Sequence, residues 1–315
     1  MARIALVGTG LVGRAWAISF ARAGHEVRLY DESAGLAEKA VAFAAEMLPM
    51  LAAEDLLDGQ SPGTVAARLR IAASLEEALA GVVHVQESTP ENLEIKKQVF
   101  ARLDRLAPPD AVLASSTSAI LPSLFTETLA GRGRCLVVHP INPPYLIPAA
   151  ELVPAPWTEA AVVEKTRDLM VAAGQAPIVM KRELDGFVMN RMQGALLEEA
   201  FRLVADGYAS IEDVDAGIRE GIALRWSFMG PFETIDLNAP GGIRDYVVRY
   251  QQIYSRLFAS MQRRVDWAGD VLDAAERDRR ARLGAAQLQD RQRWRDRRLM
   301  ALAAHKRRAD RDIGK

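Results

Sequence analysis

The sequence predicts an α/β protein in two parts: a doubly wound, mostly parallel sheet over residues 1–184 and an all-helical part over residues 185–315. Three observations predict it. A strand, a glycine loop, a helix and a second strand open the chain. Strand and helix patterns then alternate to about residue 180, and from Phe187 onward no convincing strand remains.

The opening element is "RIALVGTGLVGRAWAISFARAGHEVRLYDE". An apolar strand at 4–7 runs through Gly8, Gly10 and Gly13 into a helical pattern that stops at Gly24, and a second strand at 26–30 ends at Asp31. A lone G-x-G-x-x-G needs only a tight turn with positive φ. Here it follows a strand, opens a helix and is answered by an acid at the end of the next strand, which is the setting of a dinucleotide site. Gly8 permits the turn, Gly10 lets a pyrophosphate reach the N–H groups at the helix start, and Gly13 lets helix and strand pack closely. Asp31 is placed to accept hydrogen bonds from the adenosine ribose hydroxyls and to repel a 2′-phosphate, so NAD is expected rather than NADP. Gly8, Gly10, Leu11, Val12, Gly13 and Asp31 form this expected cofactor set. Arg28 alternates with the apolar positions of its strand and is a weak argument for NADP.

The later elements follow in order. Residues 33–53 read as a helix with a possible kink at Pro49, and short strands are expected at 69–72, 82–86, 112–115 and 136–138, with a helix at 93–106. A helix at 159–173 precedes the strand "APIVM" and a turn at Asp185 and Gly186. "VMNRMQGALLEEAFRLVADG" then has helical spacing with Gly207 as its stop, and Ser210 caps the next helix. "GPFETIDLNAPGG" is a turn, a short helix and another turn, and the rest is helical.

Bulk properties narrow the function classes. The 315 residues are half hydrophobic, enough for two ordinary cores, and the net charge is −1. Basic residues cluster only near the C-terminus, where acids are interleaved, so neither nucleic acid nor a membrane is an expected partner. Cys135 is the only cysteine, which excludes an internal disulfide. No signal-type block opens the chain, and no apolar run approaches the roughly 20 residues that span a bilayer. A cytoplasmic location is expected. The tail "RDRRARLGAAQLQDRQRWRDRRLMALAAHKRR" reads as a helix with one solvated face, whose Trp294, Leu299 and Leu302 could pack on a neighbouring subunit.

"HPINPPYLIPAAELV" raises the question of chemistry. Its prolines stiffen the segment and oppose ladder pairing, so it reads as a loop that holds His139, rather than as a core strand. The glycine loop, "SSTSAILPS", "HPINPP" with its following "ELV", "DGFVMNRM" and "MGPFETIDL" occur in the order found in the 3-hydroxyacyl-CoA dehydrogenase family, which the chain resembles to about Leu257. "VHVQES", "HPINPPYLIP" and "GIALRWSFMGP" are most similar to the lambda-crystallin branch, which includes L-gulonate 3-dehydrogenase. The resemblance implies a Rossmann-type NAD-binding domain, a helical domain that dimerises, and a set of roles. His139 corresponds to the catalytic histidine, Glu151 to its acidic partner, Ser118 to the strand-end serine and Asn190 to the asparagine of "GFVMNR". Glu91 and Lys96 fall where the family contacts the nicotinamide half of the cofactor. Ser116 replaces the usual asparagine of S-N-T-S, which weakens any contact expected from that side chain.

The same residues make physical sense as a hydride-transfer site without metal. A secondary alcohol gives up hydride only if its hydroxyl proton leaves too, to a base with a pKa near the working pH. Neutral His139 can be that base, Glu151 on the other ring nitrogen would fix the tautomer, and Ser118 and Asn190 could position the oxygen as it becomes a carbonyl. Each also has a plainer role: a structural histidine, a surface acid, a turn cap and a helix cap.

Substrate class is read from two features. Arg225 lies in a segment longer than its acyl-CoA counterpart and suits a free carboxylate, although a structural salt bridge explains it equally. Residues 33–53, where coenzyme A phosphates would need cations, hold Lys39 alone beside Glu38 and Glu46. A small 3-hydroxy acid of the L-gulonate type is therefore expected, with a 3-hydroxybutyryl-CoA type enzyme and a non-catalytic, NAD-binding crystallin-like protein as alternatives.

Overall fold

The computed structural model describes residues 1–314, which divide into two compact units. The first comprises Met1–Met189 together with Asp296–Ala304, and the second begins at Asn190 and takes the remainder.

In the first unit the elements run β1 (Arg3–Val7), α1 (Leu11–Arg22), β2 (Glu26–Tyr30), α2 (Leu36–Ala53), α3 (Pro62–Ala66), β3 (Leu69–Ile71), α4 (Leu75–Leu79), β4 (His84–Glu87), α5 (Leu93–Leu106), β5 (Val112–Ser115), α6 (Ser123–Thr126), β6 (Cys135–Pro140), β7 (Ala149–Pro154), α7 (Ala160–Ala172) and β8 (Ala176–Val179). The strands form one sheet in the order β3-β2-β1-β4-β5-β6-β7-β8. Every neighbouring pair is parallel except β6 and β7. The expected doubly wound, mostly parallel sheet is present. The chain leaves β1 toward β2 and β3, then returns to the other side of β1 as β4. The crevice at the carboxyl ends of β1 and β4 is thus a topological switch point, where open sheets of this kind bind ligands.

The period of two along each strand supplies two cores. Ile4, Leu6, Leu136 and Val138 face Trp16, Phe20 and Leu48 of α1 and α2. Ala5, Val7, Val85, Leu113 and Val137 face Phe100 and Leu103 of α5 and Phe125 of α6. Burial on both faces is why these strands read as unbroken apolar runs.

Two sequence expectations are corrected. The stretch around His139 is not a loop: His139 is the penultimate residue of β6, and Glu151 lies in β7, an antiparallel strand that the sequence pattern did not reveal. The prolines that argued for a loop lie mostly between the strands, at 143, 144 and 148, where no ladder partner is needed. Leu299, expected to face another subunit, packs instead on the first unit's own core, where its helical neighbours Met300 and Ala304 are buried with Trp16 and Leu48.

The second unit is helical throughout its described residues. It holds α8 (Met189–Ala205, of which Met189 belongs to the first unit), α9 (Ile211–Ala216), α10 (Ala223–Trp226), α11 (Pro231–Leu237), α12 (Gly242–Ser260), α13 (Asp270–Arg282) and most of α14 (Leu288–Asp312). Ser210 caps α9 in a reciprocal pair with Asp213, satisfying end groups that the helix itself cannot. Among the described residues no helix is long and apolar enough to cross a membrane.

Candidate active site

A cleft of about 560 Å³ opens at the switch point, lined among others by Gly8, Gly10, Tyr30, Asp31, Ser88 and Thr89. Its floor explains the glycines. Gly8 has φ +90°, and a Cβ there would lie 2.6 Å from the Ser88 carbonyl carbon; a Cβ on Gly13 would lie 2.0 Å from the Gly8 carbonyl oxygen. Gly10, by contrast, has nothing within 4 Å of its Cβ position and caps the N-terminus of α1, whose first turn carries no acid. The open space before Gly10 lies where the helix dipole and unpaired N–H groups favour an anion. Leu11 begins that helix, largely exposed, and Val12 packs against the core behind it. Asp31 stands at the end of β2, its Oδ2 accepting from Thr9 N at 2.7 Å and from Thr9 Oγ1 at 3.2 Å, its Oδ1 from Ser33 N at 2.9 Å. These bonds hold the carboxylate at the cleft wall, beside Glu32, which pairs with Arg102. A pyrophosphate cradle with two acids beyond it fits a dinucleotide that carries a free 2′-hydroxyl.

Replacing Asp31 by alanine is expected to weaken NADH binding about tenfold, the scale of hydrogen bonds to a charged group. Its preference over NADPH should shrink as well. Fluorescence titration with the two reduced cofactors reads both effects, and an unchanged ratio would displace the ribose from Asp31.

Behind the cleft lies a buried ion pair that sequence reasoning missed. Lys96 Nζ donates to Glu87 Oε1 and Oε2 at 2.8 and 3.0 Å and to the Thr89 carbonyl at 3.0 Å, and both side chains are buried. Glu87 also accepts from Ser115 Oγ at 2.6 Å and from Thr89 N at 2.5 Å. A buried pair survives only when its remaining hydrogen-bonding groups are satisfied, as these are. Lys96 therefore acts on the cleft through Thr89, fixing the loop after β4. Glu91, from the same loop, accepts from Thr117 Oγ1 at 2.5 Å, Ser118 N at 3.0 Å and Ala119 N at 3.2 Å. It ties the loop after β4 to the one after β5, and so sets the backbone of Ser118.

His139 and Glu151 are opposite partners in the antiparallel β6–β7 pair, so their side chains leave the same face of the sheet. His139 Nδ1 lies 2.7 Å from Glu151 Oε2. The other carboxylate oxygen accepts from the amides of Val188 at 2.7 Å and Met189 at 2.9 Å, at the start of α8. Phe187 makes this possible. Its φ of 50° is rare for a bulky residue, and the turn it completes with Gly186 aims both amides at the carboxylate. The Phe187 ring, fully buried, lies 5.6 Å from the imidazole centroid. Burial pushes the Glu151 carboxyl up, but the hydrogen bonds from His139, Met189 and Val188 outweigh it and hold it below its ordinary value. In a neutral ring, an ionised carboxylate on Nδ1 assigns the proton to that nitrogen and leaves Nε2 as a lone pair.

β6 runs parallel to β5, so His139 sits on the same carboxyl edge of the sheet as the glycine loop. The two are separated by three strand spacings, about 14 Å. Asn190, in the first turn of α8, and Arg225, exposed on α10 with one N–H on Asn238 Oδ1 at 3.3 Å, belong to the second unit.

Comparison with known proteins gives the family. Residues 3–183 match the 3-hydroxyacyl-CoA dehydrogenase NAD-binding domain, and residues 186–287 match the C-terminal domain of the same family. The chain belongs to the 3-hydroxyacyl-CoA dehydrogenase family. It is 40% identical to the lambda-crystallin homolog of Bos taurus over 303 residues, covering 95% of this chain and 94% of the other. It is 41% identical to an L-carnitine dehydrogenase of Streptomyces griseus over 235 residues, covering 75% and 69%. The solved structure of 5-formyl-3-hydroxy-2-methylpyridine 4-carboxylic acid 5-dehydrogenase, an NAD+-dependent dismutase, superposes with a TM-score of 0.82 at 30% identity, covering 96% and 97%.

Within this 3-hydroxyacyl-CoA dehydrogenase family the cofactor is NAD, and the residues of the cleft fit it: an open cradle at Gly10, a helix N-terminus free of acids and the Asp31 carboxylate. The family's dehydrogenases act on 3-hydroxyl groups. Ser116, which stands where the family pattern has asparagine, points away from solvent and is only 8% exposed.

Proposed function

We propose that this chain oxidises the 3-hydroxyl of a small free hydroxy acid, with His139 as general base and Glu151 as the group that orients it. The observation that carries the proposal is the 2.7 Å contact between His139 Nδ1 and a carboxylate whose second oxygen is held by two backbone amides. NAD, when bound, supplies the hydride acceptor. The chain's own residues do the rest. Nε2 of His139 takes the hydroxyl proton, and Glu151 stabilises the imidazolium that results, without itself becoming protonated. Ser118 and Asn190 are the proposed holders of the substrate oxygen, through which a developing carbonyl would be steadied.

Two features support a free acid over an acyl thioester. Helix α2, where phosphates of a coenzyme A handle would call for cations, carries Glu38 and Glu46 against Lys39. Arg225 keeps an exposed guanidinium suited to a carboxylate fork. The relatives named as L-carnitine dehydrogenases also point to a small acid. The test is NADH formation from L-gulonate, 3-hydroxybutyrate, L-carnitine and 3-hydroxybutyryl-CoA, side by side. One of the free acids should show the highest kcat/KM. Highest kcat/KM with the thioester would overturn the substrate class, and no NADH from any of them would favour the non-catalytic alternative.

A further inference from the structure

One side of the switch-point cleft is a helical stripe. Ile95, Gln98, Val99 and Arg102 recur at the i, i+3, i+4, i+7 spacing of one face of α5, and all four line the cavity. The end of β2 and the turn after it, from Tyr30 to Ser33, line another side. Arg102 stands about 10 Å along α5 from Ile95, at the far end of the stripe. There Arg102 Nη1 donates to Glu32 Oε1. The ion pair thus joins α5 to the turn after β2, one residue from Asp31.

Among the described residues that line this cleft, Arg102 is the one cation. Arg28, also on β2, is engaged elsewhere: its guanidinium donates to the Glu77 and Ala80 carbonyls at 2.6 and 3.0 Å and to Glu26 Oε1 at 3.1 Å. A guanidinium beside the acid that faces the ribose is what a 2′-phosphate would seek, since that group adds negative charge and three acceptor oxygens suited to an arginine fork. The cofactor is nevertheless NAD. Glu32 reconciles the two, because it occupies the guanidinium and, with Asp31, sets two carboxylates against one cation on this wall. The Arg102 and Glu32 side chains are 41% and 67% exposed, and an ion pair in that setting contributes little to folding. Its effect falls on what enters the cleft.

We propose that Glu32 is a specificity-determining residue that withholds Arg102 from a 2′-phosphate, so that the preference for NAD over NADP rests on two acids with separate tasks. Asp31 accepts from the ribose hydroxyls. Glu32 ties up the cleft cation that would otherwise bind the extra phosphate. Removing Asp31 weakens the preference but leaves the second device in place, whereas removing the Glu32 charge releases a guanidinium already stationed in the cleft. The proposal rests on the assignment of this cleft to NAD.

The experiment titrates NADH and NADPH against the whole protein and its Glu32→Gln, Arg102→Ala, Glu32→Gln/Arg102→Ala and Asp31→Ala variants. Both new positions carry exposed side chains, where substitutions perturb folding little. In Glu32→Gln the ratio of NADPH to NADH affinity is expected to rise about tenfold, the scale of one hydrogen bond to a charged group. In the Arg102→Ala background the same substitution should change that ratio by less than about twofold, because the two side chains act as one unit. An unchanged ratio in Glu32→Gln, while Asp31→Ala weakens NADH, would overturn the proposal and leave the cleft assignment standing. An equal rise with and without Arg102 would show that Glu32 repels the phosphate by its own charge, and would overturn it too. Failure of the parent protein to bind NADH would remove the cleft assignment, and Glu32 with it.

Discussion

Replacing His139 by asparagine should lower kcat on the order of 10³-fold while NADH affinity stays within about twofold of the parent, because general-base removal is worth roughly 10² to 10⁴ in rate. Asparagine is the informative choice. Its side-chain N–H can still donate to Glu151 Oε2, which His139 Nδ1 approaches at 2.7 Å, so the buried carboxylate is not left with a lost partner. It offers no basic nitrogen toward the substrate. Stopped-flow or steady-state assay with the best acid substrate reads kcat, and NADH fluorescence reads affinity. Turnover equal to the parent would remove His139 from the proton transfer. A loss of both turnover and cofactor affinity would instead mark His139 as a support for the fold of β6.

The second large effect is expected in the glycine loop, where two neighbouring substitutions should part company. Gly13→Ala puts a Cβ 2.0 Å from the Gly8 carbonyl oxygen and 2.9 Å from its carbon, both backbone atoms that cannot turn aside. The loop must move, so NADH binding should fall at least 100-fold and Tm should drop by several degrees, the response to roughly 1–3 kcal/mol of overpacking. Gly10→Ala meets no protein atom within 4 Å. Its Tm should change little, since exchanging a glycine cap for alanine costs only about 1 kcal/mol, yet its methyl fills the approach to the α1 N-terminus and should weaken NADH. Isothermal titration and thermal melts on the pair separate the two causes. Parent-like NADH binding by Gly10→Ala would move the pyrophosphate away from that helix end.

These two experiments address the two halves of one sheet edge, and the halves differ in how visible they were. The cofactor half was legible because its determinants are local. Strand, glycine loop, helix and acid fall within the first 31 residues, and each constrains the backbone of its immediate neighbours. The His139 half was harder. Prolines at 140, 143, 144 and 148 suggested a loop, whereas Pro140 closes β6 and the others lie between the strands. What brings Glu151 to His139 is strand register, which depends on how β7 turns back along β6.

The residues missed altogether have a common character. Glu87, paired to Lys96, and Ser88, joined to Ser116, lie at the end of the stretch "VHVQES", which carried only a family resemblance when met as sequence. Its alternation of His84, Gln86 and Ser88 was the available signal: three polar side chains on one face of a strand that is otherwise buried. Buried polar groups need partners, so such an alternation forecasts a network, although not its members, since Trp16 and Ser116 come from α1 and from the end of β5.

By itself the sequence determined the two-part α/β architecture, the dinucleotide-binding loop and the preference for NAD, because these follow from periodicity and from a motif whose parts are neighbours in the chain. Tertiary structure alone decided that His139 and Glu151 share a face, that Lys96 is buried against Glu87 behind the cleft, that residues 296–304 pack on the first unit and that Ser88 Oγ donates to Ser116 Oγ. The physical reason is range. Side-chain period and turn chemistry are set within a few residues, whereas strand register, buried charge pairing and the count of donors against acceptors are settled only when distant segments are brought together.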